Sequence, residues 1–377
     1  MHLSIRLLSF VAALIGPTAA LANPVLPRNL NEEVVMLSLG SGLFETRLET
    51  TLFRPPGSGP FPLVVINHGK ESGNPRFQQR ARYLAASREF VRRGYLVALP
   101  MRSGFAQSSG SYVEAGCNIA SNAKLQEEEI RDIVAALSQR PDVDRTRILL
   151  VGQSHGGLSV MASAGSRLPG VRGILNFAGG YRYTAQHCTW ERSLVDAFAT
   201  LGRGAETPSI WFYGDNDSYW GKALPARMFE AFTAAGGKAQ LVAYGEFAGG
   251  DAHSMFSSPQ GVAIWWPPTE RFLNEIGLPS EVRYALPSTP RPAKTDFADL
   301  SDIQALPYLD DKRRELYRKF LDLPTPRAFA IAITGNVGWA YSQVDATDRA
   351  LANCERLAKT GCTLYAVDHD VVWSRQE

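Results

Sequence analysis

Short apolar runs alternate with amphipathic stretches from Glu33 onwards, and this alternation organises the chain. Val34 to Leu39, Arg47 to Phe53, Leu63 to Asn67, Tyr95 to Pro100, Arg147 to Gly152, Val171 to Phe177, Ser209 to Tyr213 and Gln240 to Tyr244 are mostly Val, Ile, Leu and aromatic residues bounded by Gly or Pro. Runs of that length and composition read as buried sheet strands. Gln78 to Arg93 is expected to form a helix stopped by Gly94. Asn122 to Arg140 sets Leu125, Ile130, Ile133, Val134 and Leu137 on one helical face, with Glu127 to Glu129 near its start and Arg140-Pro141 at its end. Gly156 to Arg167, Pro225 to Ala235 and Gln260 to Ile276 are further expected helices. The first two strands read as a hairpin. The others alternate with helices, which implies a mostly parallel sheet covered on both faces.

The pattern changes after Gly277. Residues 278–327 carry Pro279, Pro287, Pro290, Pro292, Pro307, Pro324 and Pro326 and read as a linker enclosing one helix, Asp310 to Phe320. Residues 328–377 read as a small α+β module: a strand at Ala328 to Thr334, a helix at Ala346 to Lys359, and strands at Thr363 to Val367 and Val371 to Trp373. So short a unit has little core of its own, and a cross-link would help it. At the other end, Arg6, the apolar run Leu7 to Ile15, the Gly16-Pro17 break and Ala20-Leu21-Ala22 make residues 1–22 a signal-peptide pattern. The apolar run is too short to span a bilayer. The mature chain is expected to begin near Asn23 and to be exported, to the periplasm or the medium, with no stable membrane insertion after cleavage.

Composition narrows the classes. The 377 residues are 45% hydrophobic and 20% charged, which suits one large domain, residues 23–277, plus the small module. The formal charge is +2 with both signs interspersed, which points away from nucleic acid and from a membrane surface. Export places the four cysteines in an oxidising compartment. Three pairings are possible. Cys354 with Cys362, close in sequence, and Cys117 with Cys188, both in loops on one side of the sheet, are the favoured ones.

Candidate chemistry centres on Gly152-Gln153-Ser154-His155-Gly156, which follows a strand and opens a helix. A sharp strand-to-helix turn exposes a serine at its tip, and the helix start offers free N–H groups and a positive dipole end. A serine needs a base, and the base needs an orienting acid. Asp217, in Gly214-Asp215-Asn216-Asp217 after a strong strand, is the expected acid, with Asp215 reading as turn chemistry. His253, in the loop after the next strand, is the expected base, since His68, His155 and His187 all precede the acid. The N–H groups of His155 and Lys70 are the expected oxyanion donors, with His68 as a ring that fixes its loop. Only Tyr181 to Thr207 is inserted before the seventh strand, so any lid is small, and Phe105, Tyr219 and Trp220 are the expected pocket walls. No Cys or His spacing supports a metal, His369 between Asp368 and Asp370 reads as a solvated turn, and no cofactor is implied.

Eight strands with the nucleophile turn after the fifth is the layout of the α/β-hydrolase fold. The segments Asn67 to Gly69, Arg93 to Gly110, Gly152 to Gly157, Gly214 to Asp217 and Asp251 to His253 resemble that superfamily, in particular its dienelactone hydrolase and prolyl-oligopeptidase-like branch of serine hydrolases. The resemblance covers Asn23 to about Gly277. It departs in three places. Dienelactone hydrolases proper use a Cys where this chain has Ser154. Prolyl oligopeptidases carry an N-terminal propeller that this chain lacks. Where relatives often have Pro-Asp before the Arg-x-Gly loop, this chain has Pro100-Met101-Arg102. The C-terminal segment resembles a small cysteine-containing module appended to some exported bacterial proteins. The expected function is hydrolysis of carboxylic esters of small-molecule substrates through an acyl-enzyme. The alternatives are a peptidase of the prolyl-oligopeptidase-like type acting on short peptides, and a non-catalytic protein on a hydrolase scaffold that binds envelope polymers.

Overall fold

The computed structural model describes residues 23–374 except 28, 43–44, 186, 287–290 and 342–345. The expected signal peptide, and Pro287 and Pro290 of the expected linker, lie outside the described residues. The chain runs through β1 (Glu33–Leu39), β2 (Thr46–Phe53), β3 (Phe61–Asn67), α1 (Leu84–Val91), β4 (Leu96–Pro100), α2 (Ile119–Leu137), β5 (Val143–Gln153), α3 (His155–Ala162), β6 (Val171–Phe177), α4 (Trp190–Gly202), β7 (Ser209–Tyr213), α5 (Leu224–Ala234), β8 (Ala239–Ala243) and α6 (Val262–Glu275). The eight strands form one sheet in the order β1-β2-β4-β3-β5-β6-β7-β8. β2 pairs antiparallel with both β1 and β4, and every pairing from β4 across to β8 is parallel.

Strand alternation builds two cores, because successive side chains point to opposite faces. Leu63 and Val65 of β3 join a core with α2, α4 and α5, through Ile130, Phe198 and Met228. Val64 and Ile66 join the other, with Phe90 of α1 and Trp265 of α6. The inner parallel strands, such as β3, β4 and β7, are therefore buried on both sides and read as continuous apolar runs, while β8 lies at the edge. This is the α/β-hydrolase fold, with β5 near the middle and its C-terminal end leading directly into α3.

Beyond it, α7 (Asp311–Leu321), β9 (Arg327–Ala332), β10 (Val337–Tyr341), α8 (Ala346–Ala358), β11 (Cys362–Val367) and β12 (Asp370–Val371) make a second unit. Its antiparallel sheet has the order β10-β9-β11-β12. Phe329 and Ile331 pack with Tyr317 and Phe320 of α7, while Ala328, Ala330 and Ala332 pack with Ala350 and Cys354 of α8.

The structure differs from the sequence-based expectations in several places. The helix expected from Gln78 begins only at Leu84, and Gln78 to Tyr83 is an irregular segment. Its groups are taken by tertiary partners: Arg80 and Arg82 pair with Glu32, and Tyr83 adopts φ 38°. Leu125 does not share the buried face of α2 and is 40% exposed. Helix α4, with Leu194, Ala197, Phe198 and Leu201 buried, fills the stretch expected as a small insertion. The proline-rich stretch is not a free linker. Leu278 packs in the main core, while Leu306, Leu309 and α7 pack in the core of the second unit.

Candidate active site

Ser154 joins β5 to α3 with φ 57° and ψ −123°, a conformation that costs a non-glycine residue energy and lifts its side chain out of the turn. The flanking glycines are required by contact. A Cβ on Gly152 would lie 2.2 Å from the carbonyl oxygen of Gly156, and one on Gly156 would lie 2.1 Å from that of Asn67.

Ser154 Oγ is 2.9 Å from His253 Nε2. His253 Nδ1 is 3.0 Å from Asp217 Oδ2 and 3.1 Å from Asp217 Oδ1. Asp217 lies in the loop after β7, is 4% exposed, and also accepts hydrogen bonds from the Tyr219 and Trp220 N–H groups at 2.8 and 3.2 Å. With its proton on Nδ1, the imidazole presents a lone pair to the Ser154 hydroxyl. Asp215, the competing carboxylate, turns outward and pairs with Lys222 at 2.7 Å.

Two residues outside the sequence-based set hold His253. Asp251 caps its short helix, Ala252–Ser257, and accepts from the His253 N–H at 2.9 Å. Burial works to raise the Asp251 carboxyl, but hydrogen bonds from Ser218 and from the His253 N–H outweigh it and bring the group below its usual range. Gln153 Nε2 donates to the His253 carbonyl at 2.9 Å and so links the Ser154 turn to the His253 loop. The Asp–x–His spacing of Asp251 and His253 was a visible signal. The role of Gln153 carried none.

His155 opens α3, and its N–H is among those with no partner earlier in the helix. The loop after β3 packs against the same turn, since a Cβ on Gly69 would lie 3.2 Å from Ser154 Cβ. Both nearby histidines are buried. Burial, reinforced by the charge of Arg102, lowers His68 to about 3 and holds His155 well below its ordinary value. Both are neutral near pH 7 and serve as fixed hydrogen-bonding rings. His68 Nδ1 donates to the Gly69 carbonyl at 2.7 Å, and its Nε2 accepts from the Arg102 N–H at 3.1 Å.

A cleft of about 670 Å³ opens at Ser154 and His253, lined among others by Lys70, Gln78, Tyr219 and Arg349. Tyr219 stacks on the His253 ring at 4.2 Å and is 41% exposed. The other two expected wall residues do not line this cleft. Phe105 is fully buried and edge-on to His68 at 4.8 Å. Trp220 is buried, with Nε1 donating to the Ala178 carbonyl at 2.7 Å. Both support the site from behind.

Cys117 and Cys188 are bonded at 2.04 Å, joining the segment before α2 to the segment before α4. Cys354 and Cys362 are bonded at 2.00 Å, joining α8 to β11. Asp368 and Asp370 pair with Arg291 at 3.4 and 2.8 Å. No group of metal-ligating side chains occurs among the described residues.

Residues 42–223 match the family model of the X-Pro dipeptidyl-peptidase (S15 family), a span that contains Ser154 and Asp217 and stops short of His253. No curated protein matches the chain. Among solved structures, the chain is similar to an esterase from the Planctomycetes species Thermogutta terrifontis, at 17% identity over 68% of this chain and 96% of that one, with TM-score 0.48. It is also similar to an esterase from Pyrococcus furiosus, at 15% identity over 67% of this chain and 99% of that one, with TM-score 0.47. A third is dipeptidyl peptidase 4 from Porphyromonas gingivalis, at 16% identity, with TM-score 0.47. That match covers 65% of this chain and 35% of the peptidase, so the chain spans about a third of the peptidase's length. The sheet order and the strand-to-helix turn at Ser154 are those of the α/β-hydrolase fold.

Proposed function

We propose that this protein is a serine hydrolase that cleaves carboxylic esters. The observation that carries the reading is the continuous hydrogen-bonded relay from Asp217 through His253 to Ser154 at the mouth of an open cleft. Ser154 Oγ attacks the acyl carbonyl while His253 Nε2 takes its proton. Asp217 holds the imidazole tautomer and stabilises the imidazolium. The N–H groups of His155 and Lys70 receive the oxyanion. His253 returns the proton to the leaving alcohol, and water then releases the acid from the acyl-enzyme by the same relay.

The match to the X-Pro dipeptidyl-peptidase model over residues 42–223 favours peptide hydrolysis as a second reading. A panel of nitrophenyl esters of increasing acyl length, set against aminoacyl- and aminoacyl-prolyl-nitroanilides, separates the two. The expected result is kcat/KM for short esters at least about a hundredfold above that for any anilide. Preferential cleavage of the prolyl anilides would replace the esterase reading with the peptidase one. No turnover of either class would favour the third reading, a binding protein on a hydrolase scaffold. We also propose that residues 1–22 direct export. Two disulfides are compatible with an oxidising compartment, and no helix among the described residues is long and apolar enough to cross a membrane.

A further inference from the structure

Arg102, just after β4, is 2% exposed, and among the described residues no carboxylate forms an ion pair with it. Burial lowers its pKa, and Glu129 acts on it only through space. A buried guanidinium without a direct counter-charge is costly to keep, so its hydrogen bonds call for an explanation. Nη1 donates to His155 Nδ1 at 2.9 Å, and Nη2 donates to the His68 carbonyl at 2.9 Å. The Arg102 N–H donates to His68 Nε2 at 3.1 Å. The plane of the guanidinium is supported by Phe105, 4.9 Å away.

These bonds set the tautomers of both rings. His155 accepts at Nδ1, so its Nε2 carries the proton and donates to Asn122 Oδ1 at 2.6 Å. His68 accepts at Nε2 and donates from Nδ1 to Gly69. One side chain thus bridges two segments far apart in sequence: the start of α3, which carries the His155 N–H, and the loop after β3, which carries the Lys70 N–H.

We propose that Arg102 is the positioning residue of the oxyanion hole. It fixes the spacing between the two N–H donors and places a positive charge behind the oxygen on which negative charge develops. Arginine suits this role because its fork reaches two acceptors at once, whereas the lysine ammonium is a point charge. The proposal rests on the serine-hydrolase reading, in which those N–H groups face the oxyanion.

The test is Arg102→Lys in the full chain, with His155→Leu as the second variant because it removes the Nδ1 acceptor and leaves the backbone donor. Folding is checked by near-ultraviolet circular dichroism. For either folded variant, kcat is expected to fall about 10- to 100-fold with KM within about twofold of wild type, since the lost interaction belongs to the transition state. Affinity for a trifluoromethyl ketone, which forms a tetrahedral adduct with the serine, is expected to fall by the same factor. A merely structural role would lower the melting temperature and leave kcat and inhibitor affinity together at wild-type values, and that result overturns the proposal. A crystal structure of Arg102→Lys decides independently of turnover. Displacement of the His68 to Lys70 loop from Ser154 supports the proposal, and an unmoved loop overturns it. If the wild type hydrolyses neither esters nor anilides, the serine-hydrolase reading fails, and the loop position still answers whether Arg102 sets the spacing.

Discussion

Asp215 and Asp217 lie two residues apart and meet different environments. Asp215 faces solvent and Lys222, where an exposed pair contributes little. Asp217 is buried against the His253 imidazole and receives two backbone N–H bonds. Asp217→Asn is therefore expected to lower kcat by about 10,000-fold with little loss of folding, whereas Asp215→Asn leaves kcat within about twofold. Steady-state kinetics on a short ester checks both, and equal losses would reject the assignment of the acid. The meeting of Ser154, Asp217 and His253 was legible because few residues satisfy the chain order Ser, acid and His after successive strands. Phe105 and Trp220, expected beside Tyr219 as cleft walls but buried behind the site, show what was not legible. An aromatic near a site can face the cleft or brace it, and direction depends on rotamer and neighbours rather than on residue type. The part proposed for Arg102 was not legible, because it depends on contacts with His68 and His155 from two other segments.

The inner strands were legible because burial on both faces makes β3, β4 and β7 apolar runs, whereas β5 starts at Val143, four residues before the expected Arg147, in a polar stretch that carries no such signal. The helix expected from Gln78 failed where tertiary partners outweighed propensity. Pairing of Arg80 and Arg82 with Glu32, and of Gln78 with the Gly69 carbonyl at 3.0 Å, holds the segment open as a wall of the cleft. β10 is not among the expected strands, and its Gly338 offers no side chain to an apolar run. In the structure it allows close contact with α8, where a Cβ would lie 2.2 Å from the Cys354 nitrogen. The turn from β5 to α3 makes the corresponding demand at Gly156. Gly156→Ala forces a Cβ against the backbone carbonyls of Asn67 and His68, neither of which can move without β3. A destabilisation of about 2–3 kcal/mol in urea unfolding is expected. An unchanged midpoint would mean that the approach of β3 to α3 is looser than described.

The molecule joins an eight-stranded parallel-rich sheet to a four-stranded antiparallel one, each with a cross-link near it. In the chain-entropy model the bond spanning 71 residues constrains the unfolded chain by about 4 kcal/mol and the one spanning 8 residues by about 2–3 kcal/mol. The shorter bond matters more than its size suggests, because it closes a unit with a small core. Arg349 of α8 lines the cleft at Ser154, so the second unit contributes to its wall. That contribution was not legible, since nothing in a local pattern says which faces of two units meet. The arrangement as a whole brings residues 154, 217 and 253 to one rim of the large sheet. Labelling with a fluorophosphonate, followed by peptide mapping by mass spectrometry, tests this most directly. One adduct per chain is expected, on Ser154, absent in Ser154→Ala and formed far more slowly in His253→Ala. An adduct on another residue, or undiminished labelling of Ser154→Ala, would contradict it.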